Sequence, residues 1–187
     1  MAKGQGRMGT GVTFTKYEIT IKEDAGPKSV TVPAVNFWYR YGLTDKLEAH
    51  ALAWIPFGAT LGAKYQLLGN RELNGPSVSV GLDFGYLTVS DSSEDAMGVE
   101  SKTEIQLADF YLPVHVGYRV GPSFSVYAVP KYLLRVESGD SDGISHMVGS
   151  AFGLALGNVA TLHAEGVVLY DVGAGNTALT AGIGYAF

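Results

Sequence analysis

His163 and Glu165 stand two residues apart in Thr161-Leu-His-Ala-Glu165, a spacing that places imidazole and carboxylate on one face of a strand. Such a pair can shuttle protons or begin a metal site. Only two ligands are present, so the preferred reading is an interior histidine held by hydrogen bonds, with no metal and no cofactor. A larger set is spread along the chain. Folding each predicted hairpin about its turn brings Arg40 near Glu48, His50 near Lys64, Lys64 near Asp83, and Asp109 near Arg135, with Asp83 facing Asp109. Lys64, Asp83, Asp109 and Arg135 would then form a belt across four strands. Two carboxylates flanked by two cations read as a neutralised structural network. If hydrated, the same belt would line a narrow polar path. The chain contains no Gly-x-Ser-x-Gly elbow, phosphate loop or His-Glu-x-x-His sequence.

These side chains are positioned by a two-residue alternation that recurs through the chain. About ten strands are predicted, near 8–22, 30–43, 46–56, 59–68, 76–89, 104–120, 123–137, 144–157, 160–171 and 176–187, with eight as the nearest alternative. One parity carries Leu61, Ala63, Val78, Val80, Leu82, Phe84, Leu112, Val114, Val116, Leu154 and Leu162, none of them charged. The other carries the residues above together with Lys131, His115, Arg119 and Glu137. Charges inside and aliphatics outside describe a closed barrel whose exterior meets lipid, because a charge at mid-bilayer depth costs a few kcal/mol.

Aromatic placement agrees with that layout. Tyr39, Tyr41, Tyr65, Tyr118, Phe124, Tyr185 and Phe187 collect at one end and face outward, as a membrane-interface ring. Phe57, Tyr86, Phe110, Tyr132 and Tyr170 collect at the other. Strand one is the poorest match: Val12 and Phe14 use even positions, whereas Tyr17, Ile19 and Ile21 use odd ones, which predicts a bulge near Thr15. Ser90 to Thr103 is expected to be the longest outer loop. Trp54-Ile-Pro-Phe-Gly58 is an apolar turn that lowers the wall on its side. Trp38 and Trp54, both inward, could contact an apolar ligand entering there.

Composition supports one domain over residues 1–187. Glycine is frequent at 25 residues, tyrosine accounts for 11 of the aromatics, and only 17% of residues are charged. Mean hydropathy is +0.14. The net charge of −5 leaves no basic footprint for nucleic acid. No cysteine is present, which excludes disulfides and thiolate chemistry. Residues 1–7 have no apolar core and are read as a disordered or added segment, not a signal peptide. Gly143 to Ala164 lacks acidic and basic residues and has Gly149, Gly153 and Gly157 four apart, so a membrane helix is the rival to two strands there.

The last eleven residues, Thr177-Ala-Leu-Thr-Ala-Gly-Ile-Gly-Tyr-Ala-Phe187, alternate bulky and tiny side chains and end on phenylalanine. This segment resembles the closing strand of bacterial outer-membrane β-barrels, where a terminal aromatic is a hallmark. The resemblance implies an all-β, closed antiparallel barrel in a bacterial outer membrane. Its implied partners are outer-membrane lipids and the barrel-assembly machinery, the latter recognising the C-terminal strand. A monomer is expected.

Ten strands and an inward Asp pair also resemble omptin proteases, but Asp83 and Asp109 fall mid-strand without an Asp-x-His partner. Ser145, His146 and Ser150 resemble the site of lipid A deacylases only loosely, since the His-x-Ser spacing is absent. The leading expectation is therefore a non-enzymatic barrel, structural or forming a narrow passage for small solutes. A hydrophobic-ligand or lipid transporter and an outer-membrane hydrolase are the alternatives, followed by a soluble lipocalin-like binder.

Overall fold

The structure is a computed structural model that describes residues 2–19, 28–55, 58–69, 74–94, 100–139, 143–157 and 161–187. Among these, ten strands follow one another: β1 (Gly6–Ile19), β2 (Lys28–Gly42), β3 (Leu47–Ile55), β4 (Gly58–Leu68), β5 (Gly75–Glu94), β6 (Glu100–Arg119), β7 (Phe124–Gly139), β8 (Gly143–Leu156), β9 (Thr161–Asp171) and β10 (Thr177–Ala186). Each pairs antiparallel with its sequence neighbours, and β1 pairs with β10, closing the barrel. Closure leaves no sheet edge, so strand backbones are satisfied by the ladders even where water is excluded. The even strand number puts both termini at one end.

Side-chain parity follows the sequence. Leu61 and Leu82 on the outer wall are 63% and 60% exposed, whereas Leu133 and Asp109 on the inner wall are both at 0%. A large apolar surface turned outward around a polar interior is stable only in an apolar solvent. No helix among the described residues is long and apolar enough to cross a membrane; within Gly143 to Ala164, residues 143–156 belong to β8 and residues 161–164 to β9.

Three local expectations need correction. Gly6 and Arg7 belong to β1, opposite Tyr41 and Arg40, so the ordered barrel begins within the segment read as disordered or added. Strand β1 keeps one register from Gly6 to Ile19, with no bulge near Thr15. The Thr15 and Thr180 hydroxyls meet at 3.0 Å inside the barrel while Lys16 is exposed outside, so the strand needs no shift of phase. The irregularity lies instead between Gln66 and Leu68, where Gln66 Nε2 donates to the Leu68 carbonyl at 2.6 Å.

The third correction concerns Ser90 to Thr103. Pairing of β5 with β6 continues through Asp91↔Thr103 to Glu94↔Glu100, leaving only residues 95–99 outside the described structure. Strands of about 9–11 residues suffice to span a bilayer, so the 20-residue strands β5 and β6 extend well past that length. On the neighbouring side the rim is low: β3 has nine residues, and only residues 56–57, which lie outside the described residues, separate it from β4.

Candidate functional site: the luminal polar network

All ten residues of the anticipated network lie on inward-facing positions of their strands, but the pairing differs from that expected. Glu48 sits opposite Lys64, and their charged atoms are 3.0 Å apart. Arg40 lies opposite His50 rather than Glu48. Lys64 lies opposite Gly81, two residues from Asp83 on the neighbouring strand. Asp83 instead pairs with His50, whose Nε2 is 3.0 Å from Oδ1. Asp109 is opposite Gly85 and Arg135, and Asp83 is opposite Tyr111, so the two aspartates are diagonal instead of directly paired. The ion pairs among the described residues thus include Lys64–Glu48, His50–Asp83 and Arg135–Asp109, a pairing that differs from the expected belt at its first two members.

Asp109 and Arg135 form the strongest of these pairs. Arg135 Nε and Nη2 donate to the two Asp109 carboxylate oxygens, each at 2.8 Å, and the Tyr111 hydroxyl donates to Oδ2 at 2.8 Å. A bidentate, buried pair with a further donor satisfies the desolvated charges by geometry. Leu133 and Val129 are buried beside these inward positions on β7.

Two of the interactions that reach across an intervening strand pass over a glycine. His50, Gly62 and Asp83 occupy one register row over β3, β4 and β5. A Cβ on Gly62 would strike Asp83 Oδ1 and lie 2.6 Å from His50 Nε2. Tyr127, Gly153 and Glu165 occupy the equivalent row over β7, β8 and β9. The Tyr127 hydroxyl donates to Glu165 at 2.9 Å, and a Cβ on Gly153 would collide with the Tyr127 ring. Gly62→Ala should separate His50 from Asp83 and lower stability by about 1–3 kcal/mol, the cost of leaving a buried polar group unsatisfied. Urea unfolding with Gly85→Ala, whose Cβ would approach nothing closer than 3.2 Å, provides the comparison.

Trp38 crosses the glycine-rich side of the lumen. Its ring lies over Gly9, stacks with the Arg40 guanidinium at 4.8 Å, and meets the His163 ring edge-on at 6.2 Å. The space left beside His163 by the small residues of β10 is therefore shared with an indole. Trp54 lies two register steps from Trp38, beside Asn36, and no ring contact joins the two tryptophans. They do not form a common apolar cradle. Lys131 faces the charges of Glu165 and Asp83.

Sequence reasoning missed Arg7, which stands directly opposite Arg40 and donates to the Thr161 hydroxyl. It also missed Tyr111 and Tyr127, although both share the odd inward parity of Asp109 and Arg135. Asp171 accepts from the backbone N–H groups of Gly173 and Ala174 at 2.8 and 2.9 Å, so it caps the β9–β10 turn. Ser145 points inward and His146 outward, where Nδ1 is 2.6 Å from the Tyr132 hydroxyl. Of the serine–histidine grouping considered for a deacylase, Ser145 thus lies on one face of β8 and His146 and Ser150 on the other. Among the described residues, no three His, Asp or Glu side chains converge as a metal site.

The outward aromatics Tyr39, Tyr41, Tyr65, Tyr118, Tyr185 and Phe187 are exposed, while Phe124 is half-buried. Phe57 lies outside the described residues.

No protein-family model matches the chain, and no curated protein matches it. Solved structures do. The translocator domain of the autotransporter NalP from Neisseria meningitidis superposes with a TM-score of 0.60 at 9% identity, covering 100% of this chain and 89% of that one. The attachment invasion locus protein Ail of Yersinia pestis, solved with a heparin analogue, gives 0.49 at 12% identity, covering 99% of each chain. The N-terminal barrel domain of Pseudomonas aeruginosa OprF gives 0.41 at 14% identity, covering 99% and 100%. The fold assignment rests on the first of these together with the closed strand order. The chain is an all-β, ten-stranded antiparallel barrel that resembles the small bacterial outer-membrane β-barrels in structure.

Proposed function

We propose that this chain resides in a bacterial outer membrane as a monomeric, non-enzymatic barrel whose lumen is shut to solutes by its own side chains. The observation that carries this reading is the set of inward residues with almost no accessible surface. Asp109 and Leu133 are at 0% exposure, Glu48 and Lys64 at 3% and 5%. Solvent does not reach the first two, so that side of the barrel is packed rather than open. Barrels of this strand number are narrow enough for side chains to fill. The role is then structural: a stable wall in the lipid, carrying the long β5–β6 hairpin beyond the rim. The proposed surroundings are outer-membrane lipids, and assembly would use the C-terminal strand.

The second reading, a narrow passage for small solutes, is favoured by one feature. Arg40, Lys131, His163 and Glu165 are only half-buried, so polar space persists along the β9 side. Planar-bilayer recording separates the two readings. The closed barrel predicts no discrete channel openings for the wild type, and openings or leak for Arg135→Ala, which removes the large side chain bridging to β6. Regular openings of the wild type that respond to Lys131→Ala would reject closure and favour the passage.

A further inference from the structure

Closure of the wall is complete only up to the top of the β3–β4 hairpin. The described pairing of β2 with β3 stops at Val35↔Ile55, whereas β2 continues its ladder with β1 up to Ile19↔Lys28. The described pairing of β4 with β5 stops at Gly58↔Leu87, whereas β5 continues its ladder with β6 up to Glu94↔Glu100. Among the described residues, no strand pairs with residues 28–34 on the side away from β1, or with residues 88–94 on the side away from β6. The two open edges have the same length and face each other across the line of β3 and β4. Paired strands are about 4.8 Å apart, so the edges stand roughly 14 Å from each other, which leaves two vacant strand positions.

We infer that this notch takes a basic β-hairpin of a partner protein, which continues the lines of β3 and β4 and completes the wall above the low rim. A row of unpaired N–H and C=O groups is a template for strand addition, and main-chain hydrogen bonds then supply affinity. The strand directions suit a hairpin. Strand β2 runs toward the end that holds the termini and β5 runs away from it. Two opposed strands therefore pair antiparallel with both edges and with each other. A single added strand would leave one position vacant. Residues 88–94 contain no proline, so each keeps its N–H, whereas Pro33 on the opposite edge has none. Charge selects the partner. The paired tops of β5 and β6, residues 88–94 and 100–104, carry Asp91, Glu94, Glu100 and Glu104 against one lysine, Lys102. A second copy of the chain would bring the same acidic hairpin against this one, and like charges across a ladder are unfavourable. A lysine- or arginine-rich hairpin is attracted instead. The outer-membrane reading above sets only the side on which the notch lies, the extracellular one.

The test uses the full chain in nanodiscs and a synthetic hairpin of alternating lysine and threonine closed by an Asn-Gly turn. Its strands match the open edges in length, and binding is read by fluorescence anisotropy. The wild type should bind it. N-methylation of the peptide's outward-facing amides keeps every charge and should weaken binding about tenfold, the effect of one or two lost hydrogen bonds. Asp91→Asn with Glu94→Gln should weaken it about fivefold at low salt. Lengthening the β3–β4 hairpin of the chain itself until it fills the notch should abolish binding while the heat-modifiable band persists. No binding by the wild type would overturn the inference. So would equal binding of the N-methylated hairpin, which would mean charge attraction alone, or undiminished binding by the lengthened chain. A dimer in the nanodisc that the peptide dissociates would make a second copy the occupant and overturn it too. A chain that folds without amphiphile yet binds the hairpin through the notch would reject the outer-membrane reading and leave the inference standing.

Discussion

Asp109→Ala should cost the folded barrel about 3–5 kcal/mol, because it leaves a buried guanidinium without its carboxylate. Three donors converge on Asp109, two from Arg135 and one from Tyr111, and each would lose its acceptor. The loss should appear as a lower urea midpoint in detergent micelles. The double variant Asp109→Leu, Arg135→Met should recover much of it, since a packed apolar pair avoids both desolvation costs. A single variant that loses less than about 1 kcal/mol would mean that the pair is hydrated and behaves like a surface ion pair. That outcome would also undermine the closed lumen, as water would have to reach Asp109.

Leu82→Arg should destabilise the bilayer-inserted protein by about 2–4 kcal/mol, the cost of a cation at the midplane of a barrel wall. Leu82 is on the outward parity of β5, between Pro76, which pairs with Tyr118 of the lower aromatic ring, and Tyr86 of the upper one. Thr31→Arg, on the exposed face of β2 and level with Lys16, should cost only about 0–1 kcal/mol. Reversible unfolding from lipid vesicles would measure both. A soluble barrel would show no such depth gradient, because both positions would already face water. Equal effects at the two sites would therefore contradict lipid contact.

The architecture is largely legible in the sequence because alternation is strict. Where Leu61, Ala63 and Tyr65 alternate with Gly62 and Lys64, a period of two identifies strand and face together. Pairing across one hairpin is legible wherever the register can be counted from a tight turn, as with Asp109 and Arg135. Counting misses by two residues at Arg40, which lies opposite His50 instead of Glu48 across a turn as short as that between β6 and β7. It fails more instructively at His50 and Asp83. Those residues are not on adjacent strands, and nearest-neighbour counting cannot find a pair that meets over Gly62. The same holds for Tyr127 and Glu165 over Gly153. Glycine on the inner face reads as empty space in the sequence, whereas in the barrel it lets side chains reach across. The long β5–β6 hairpin escapes sequence reading for a different reason. Acidic, serine-rich sequence suggests a loop, yet its backbone can continue a ladder in water once two strands are already aligned.

The central claim is that this barrel folds with lipid outside and its polar network inside. Refolding into lipid vesicles, followed by electrophoresis with and without boiling, tests it most directly. The account predicts a protease-resistant monomer whose mobility shifts on boiling and which forms only when amphiphile is present. A folded, monomeric, protease-resistant protein in buffer without detergent or lipid would contradict it.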